Sequence, residues 1–82
     1  MNAKEFYRAC EHFDWHYEMS DDHRVWMAGE AAKTRLLAQA PFGSENRRIY
    51  DAWCAHVFSG PPWGTPKAPR PTEPEEIEGG TK

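Results

Sequence analysis

The feature that most limits what this chain can fold into is the separation of its prolines from its aromatics. Six of the seven prolines lie from Pro61 onward, whereas all eleven Phe, Trp and Tyr residues lie at or before Trp63. Each aromatic ring removes roughly 150–250 Å² from water when buried, so the core must be built upstream of the prolines. The stretch "PPWGTPKAPRPTEPEEIEGGTK" (61–82) carries no hydrophobic period; its prolines favour extended polyproline II with a disordered acidic end. The expected organisation is a folded region over 1–60 and a Pro-rich, partly disordered tail over 61–82, with Trp63 straddling the two.

A folded region of that size buries only about 60% of its unfolded surface, which leaves room for a compact core and little for a deep active site. Three segments within it have helical periodicity. From about Asn2 to Met19, Ala3, Phe6, Cys10, Phe13 and Tyr17 recur at spacings of three and four, with Asn2 placed to cap the start. The run "SDDH" then restarts the chain, with Ser20 as cap and Asp21 and Asp22 in the next first turn, where carboxylates favour the helix dipole. The second helix, about Asp21 to Gln39, aligns Val25, Ala28, Ala32, Leu36 and Ala40 on one face, with Trp26 and Leu37 beside it. Gly29 costs a helix interior roughly 1 kcal/mol relative to Ala and marks a close backbone contact. In "APFGS" (40–44), Pro41 stops that helix and Ser44 caps a third, about Glu45 to Phe58, whose buried face is Ile49, Trp53 and Val57. Gly60, Pro61 and Pro62 end it. The expected fold is all-α: a small three-helix bundle with a Pro-rich extended C-terminal tail.

Charge points away from non-specific nucleic-acid binding, since ten Lys and Arg against thirteen Asp and Glu leave a net −3. The distribution is dipolar. Glu11, Asp14, Glu18, Asp21 and Asp22 fall in a stretch without Lys or Arg, whereas Lys33, Arg35, Arg47 and Arg48 face only Glu45 further on. No charged segment followed by an apolar one opens the chain, and no apolar run approaches ~18 residues, so neither secretion nor membrane spanning is expected. Cys10 and Cys54 then read as reduced cytoplasmic thiols that pack as small hydrophobes.

Several groupings of residues could carry chemistry. His12 and His16 have the helical spacing that lets two imidazoles share a metal, but their further ligands would have to come from His23, Cys54 or His56 by packing, and no metal or cofactor is expected. Cys54 and His56, two apart on a helix, point about 200° away from one another, and enzymatic activity is not expected. A helix, a short Gly-containing turn and a second helix opening "SENRRIY" allow a helix-turn-helix reading in which Asn46, Arg47 and Arg48 meet DNA. The acidic reading starts from Glu11, Asp14 and Glu18 at spacings of three and four, with Trp15 among them, as an aromatic-acidic face steered to a basic partner surface. Trp63 within "GPPWGTP" suits an apolar groove, either between Trp53 and the first helix of its own domain or on a partner.

The segments "FDWHYEMSDDHRVW" (13–26) and "FSGPPWGTPKAP" (58–69) resemble stretches in small proteins of bacteriophages and prophages. That resemblance implies an accessory protein acting in a host cytoplasm, with no assigned chemistry. The function expected from these readings is non-enzymatic binding of a protein partner through Glu11, Asp14, Trp15, Glu18 and Trp63. The alternative is a small DNA-binding protein reading through Asn46, Arg47 and Arg48.

Overall fold

A computed structural model describes residues 1–75. It contains three α-helices, α1 (Ala3–His12), α2 (His23–Ala38) and α3 (Glu45–Val57), with a single 3₁₀ turn at Tyr17–Met19. Among the described residues there is no β-strand, only an isolated antiparallel bridge between Gly60 and Thr65.

Helix α1 begins with a capping box: Asn2 Oδ1 accepts from the Glu5 amide at 2.8 Å, and Glu5 Oε1 accepts from the Asn2 amide at 3.1 Å. It ends at His12 and does not continue to Met19 as the periodicity predicts. The physical reason lies in local side-chain bonds that compete with the helix. Phe13 turns extended, the Trp15 indole donates to the Cys10 carbonyl at 2.9 Å, and Asp14 Oδ1 accepts from the His16 amide at 3.0 Å. Phe13 and Tyr17 still reach the interior, with their rings 5.9 Å apart, because the loop coils inward.

The start of α2 also lies later than expected. Asp22, not Ser20, is its cap, accepting from the Arg24 amide at 2.9 Å, while Ser20 Oγ accepts from the Asp22 amide at 3.0 Å. Of the face predicted to be buried, Leu36 and Ala40 enter the core, but Val25 and Ala28 stand in solvent. Residues 21–28 are exposed, so the first two turns of α2 project from the body. What holds them is Tyr17. Its side chain lies against Gly29, where a β-carbon would sit 2.2 Å from Tyr17 Cγ, and its hydroxyl donates to Glu30. Gly29 is therefore the close contact that its sequence position implied.

Helix α3 is capped by Ser44, whose Oγ accepts from the Arg47 amide at 3.1 Å, and closes with Phe58 N–H donating to the Cys54 carbonyl at 2.9 Å. The core is Phe6, Tyr7, Cys10, Leu36, Ala40, Ile49, Tyr50 and Trp53. Its principal seam runs between α1 and α3; α1 meets α2 far less extensively. The thin α1–α2 seam leaves an apolar groove of about 440 Å³ floored by Ala9, Phe13, Ala32 and Leu36, with His12 and Arg35 at its edge.

Candidate interaction surface

Beyond α3 the chain folds back over its own helices. Gly60 donates to the Thr65 carbonyl at 2.9 Å and Trp63 to the Gly60 carbonyl at 2.7 Å, which ties residues 60–65 into a closed turn. Gly60 and Gly64 adopt φ of 76° and 80°, values that side chains with a β-carbon rarely tolerate. Trp63 packs edge-on against Phe58, with ring centroids 5.6 Å apart, and His16 also meets Phe58, at 5.7 Å. Phe58 is 39% and Trp63 46% exposed. Trp63 thus does not occupy the place between Trp53 and the first helix that its position in the sequence suggested. Arg70 does: its guanidinium lies 5.1 Å from the centre of the Trp53 ring and pairs with Glu11.

The same segment makes further contacts with α1 and α3. Ala68 N–H donates to Ser59 Oγ at 2.7 Å, and His56 Nδ1 lies 3.0 Å from the Ala68 carbonyl, which requires a proton on Nδ1. Lys67 Nζ donates to the His56 carbonyl at 2.7 Å, the Tyr7 hydroxyl to the Pro71 carbonyl at 2.8 Å, and Arg8 pairs with Glu73 at 2.9 Å.

These placements redistribute the residues proposed for partner binding. Glu11, Asp14 and Glu18 do not form one helical stripe, because α1 ends between the first two. Glu11 is engaged by Arg70, and Trp15 turns inward, 5.4 Å from the Tyr50 ring. Asp14, Glu18 and Trp63 remain on the surface. Phe58 carries no role in the sequence reading beyond ending a helix; its signal is an aromatic two residues before a Gly-Pro-Pro stop and five before a second aromatic.

The basic cluster is similarly divided. Asn46 Nδ2 donates to the Gln39 carbonyl at 2.8 Å and to the Met1 carbonyl at 3.2 Å. Arg47 donates from Nη1 to the Ala40 carbonyl at 3.3 Å and stacks 4.1 Å from the centre of the Phe42 ring. Its Nε lies 3.5 Å from Asp51 Oδ1, a charge contact without hydrogen-bond geometry. Both side chains thus satisfy carbonyls left open where α2 ends. Arg48 is exposed.

Among the described residues, no group of three or more His, Cys, Asp or Glu side chains is arranged to hold a metal ion. His12 closes α1 and His16 lies in the loop beyond it, so their four-residue spacing is not a helical one. Cys10 and Cys54 are free thiols. Burial, with the neighbouring Cys54 adding to it, pushes the Cys10 thiol from 9.0 up to about 12. The folded state therefore keeps a proton that the unfolded chain releases near pH 9, so this contribution to stability is intact below pH 9 and declines as pH rises toward 12. Urea midpoints measured across that alkaline range are expected to fall more steeply for the native chain than for Cys10→Ala; parallel slopes would remove the thiol as the cause. A protonated, buried thiol is also a poor nucleophile.

No helix among the described residues is long and apolar enough to cross a membrane. Comparison with protein-family models, curated proteins and solved structures returns no match.

Proposed function

We propose that the chain is a non-enzymatic interaction protein that binds a protein partner through an aromatic-acidic surface. Its anchors are Phe58 and Trp63, and its acidic edge is Asp14 and Glu18, on the loop that His16 brings against Phe58. The observation that carries this reading is the closed turn at 60–65, which sets the half-exposed Trp63 ring edge to face with the half-exposed Phe58 ring. A fixed turn loses little conformational freedom on binding, and tryptophan is among the residues that dominate interface energetics. On this reading the Pro-rich segment is an extended arm that steadies the anchor turn. The resemblance to bacteriophage proteins directs the search for a partner to a bacterial cytoplasm.

The test is affinity capture from bacterial lysate with the full chain and with a Phe58→Ala, Trp63→Ala double variant, followed by binding measurements on whatever protein dominates. The expected result is one partner whose affinity falls roughly 30-fold or more in the double variant. Equal recovery by both forms would move the interface elsewhere, and recovery of no protein would reject the reading. The DNA-binding alternative has less support, because Asn46 and Arg47 already serve the α2–α3 turn and Arg48 is left as its exposed cation. Salt-sensitive DNA binding abolished by Arg48→Ala would revive it.

A further inference from the structure

We propose that the face of α1 and α3 lying under residues 66–75 is a recognition groove for a proline-rich segment of another protein with arginine between prolines. The chain's own "PKAPRPTEPE" is an internal competitor for that groove. Recognition of polyproline II segments needs three things: an aromatic platform, donors aimed at backbone carbonyls that proline leaves available, and a carboxylate for any flanking cation. All three are present. Tyr7 and Trp53 form the platform, with ring centroids 5.4 Å apart. Tyr7 and the adjacent His56 supply the donors: Tyr7 hydroxyl to the Pro71 carbonyl at 2.8 Å and His56 Nδ1 to the Ala68 carbonyl at 3.0 Å. Glu11 supplies the carboxylate, paired with an arginine that also lies over Trp53.

The spacing of the two accepted carbonyls matters most. Polyproline II repeats every three residues, so carbonyls three apart point to one side, and Ala68 and Pro71 are three apart. A proline-rich segment in polyproline II conformation would present two such carbonyls to Tyr7 and His56 together.

The internal segment is a replaceable occupant. Its ion pairs, Arg70 with Glu11 and Arg8 with Glu73, are solvent-exposed, and exposed pairs contribute little. Among the described residues the buried Trp53 Nε1 has no hydrogen-bond acceptor, so the internal segment leaves a donor of the platform unmet. The internal segment holds its place chiefly through tethering, which keeps its effective concentration in the millimolar range for short connections.

This groove uses none of the anchors assigned above and shares with that reading only the premise that the chain binds proteins. A synthetic peptide tests it without reference to any lysate partner. The isotope-labelled full chain, native and Arg70→Ala, is titrated with a peptide of residues 65–75 and with the same peptide carrying alanine for arginine. Resonances of Tyr7, Trp53 and His56 are followed. The expected result is that Arg70→Ala binds the arginine peptide roughly tenfold or more tightly than the native chain does, with shifts at those three residues, and binds the alanine peptide roughly tenfold more weakly. Absence of shifts at millimolar peptide in a folded Arg70→Ala chain, or equal binding of the two peptides, would overturn the proposal. Should Arg70→Ala fail to fold, Arg70→Gln, which keeps part of the stem over Trp53 and removes the charge paired with Glu11, provides the same comparison. Light scattering on the native chain completes the test: a dimer that dissociates on adding peptide would make a second copy's arm the occupant and overturn the assignment to a foreign partner.

Discussion

Replacing Phe6 with alanine is expected to abolish the cooperative fold or reduce its urea midpoint by about 1–3 M. Phe6 is 0% exposed and sits in the α1–α3 seam among Tyr7, Cys10, Ile49 and Trp53. Large-to-small changes at such sites cost about 3–5 kcal/mol, through lost transfer energy and the cavity left behind. A domain of this size, at about 0.05–0.15 kcal/mol per residue, has little more than that to lose. Phe6→Leu, which conserves much of the volume, should cost less than about 1.5 kcal/mol. Tryptophan fluorescence during urea denaturation distinguishes the two; a Phe6→Ala chain within about 1 kcal/mol of native would mean that the α1–α3 seam is not the core.

Gly29→Ala is expected to destabilise the fold by about 2 kcal/mol, although the change alone favours a helix by roughly 1 kcal/mol. The added methyl would lie 2.2 Å from Tyr17 Cγ and 2.4 Å from Cδ2, so the ring must leave its seat. With it goes the hydroxyl bond to Glu30, which, ahead of burial, holds the Tyr17 hydroxyl protonated well above its ordinary range. The melting temperature should drop by about 10 °C. In a Tyr17→Ala background the same substitution should become neutral or stabilising, because the obstacle is gone. A loss of similar size in both backgrounds would show that Tyr17 is not the cause.

Both of these sites are visible in the sequence, Phe6 through the spacing of the first apolar stripe. Gly29 was legible, since a glycine inside an otherwise regular helix needs a reason and close approach is one. The caps at Asn2 and Ser44 were legible too, because the chemistry of a cap is local. The end of α1 was hidden: Phe13 and Tyr17 continue the three-and-four spacing past His12, while the bonds that break the helix come from Trp15 and Asp14, whose direction no spacing reveals. Hiding the same break made three carboxylates look like one stripe. Asn46 and Arg47 read as a basic surface because a sequence lists charges without showing the carbonyls that use them. The Pro-rich run reads from the sequence as an extended tail, and of the two seats open to Trp63, its own helices or a partner, the one between Trp53 and the first helix rests on its large apolar area. Arg70 took that seat because Glu11 and the Trp53 ring together offer a cation both a counter-charge and a π face.

The pairing of α1 with α3 has a consequence for how the chain is made. Helix α1 ends at His12, and the helix that covers its apolar face begins only at Glu45, so on a translating ribosome Phe6 and Cys10 wait unsheltered while the whole of α2 is synthesised. Non-local closure of this kind delays folding until the later segment arrives. Stalled before α3, the nascent chain exposes Phe6, Tyr7 and Cys10, and it is there, rather than in the finished molecule, that a holding chaperone would find its best substrate.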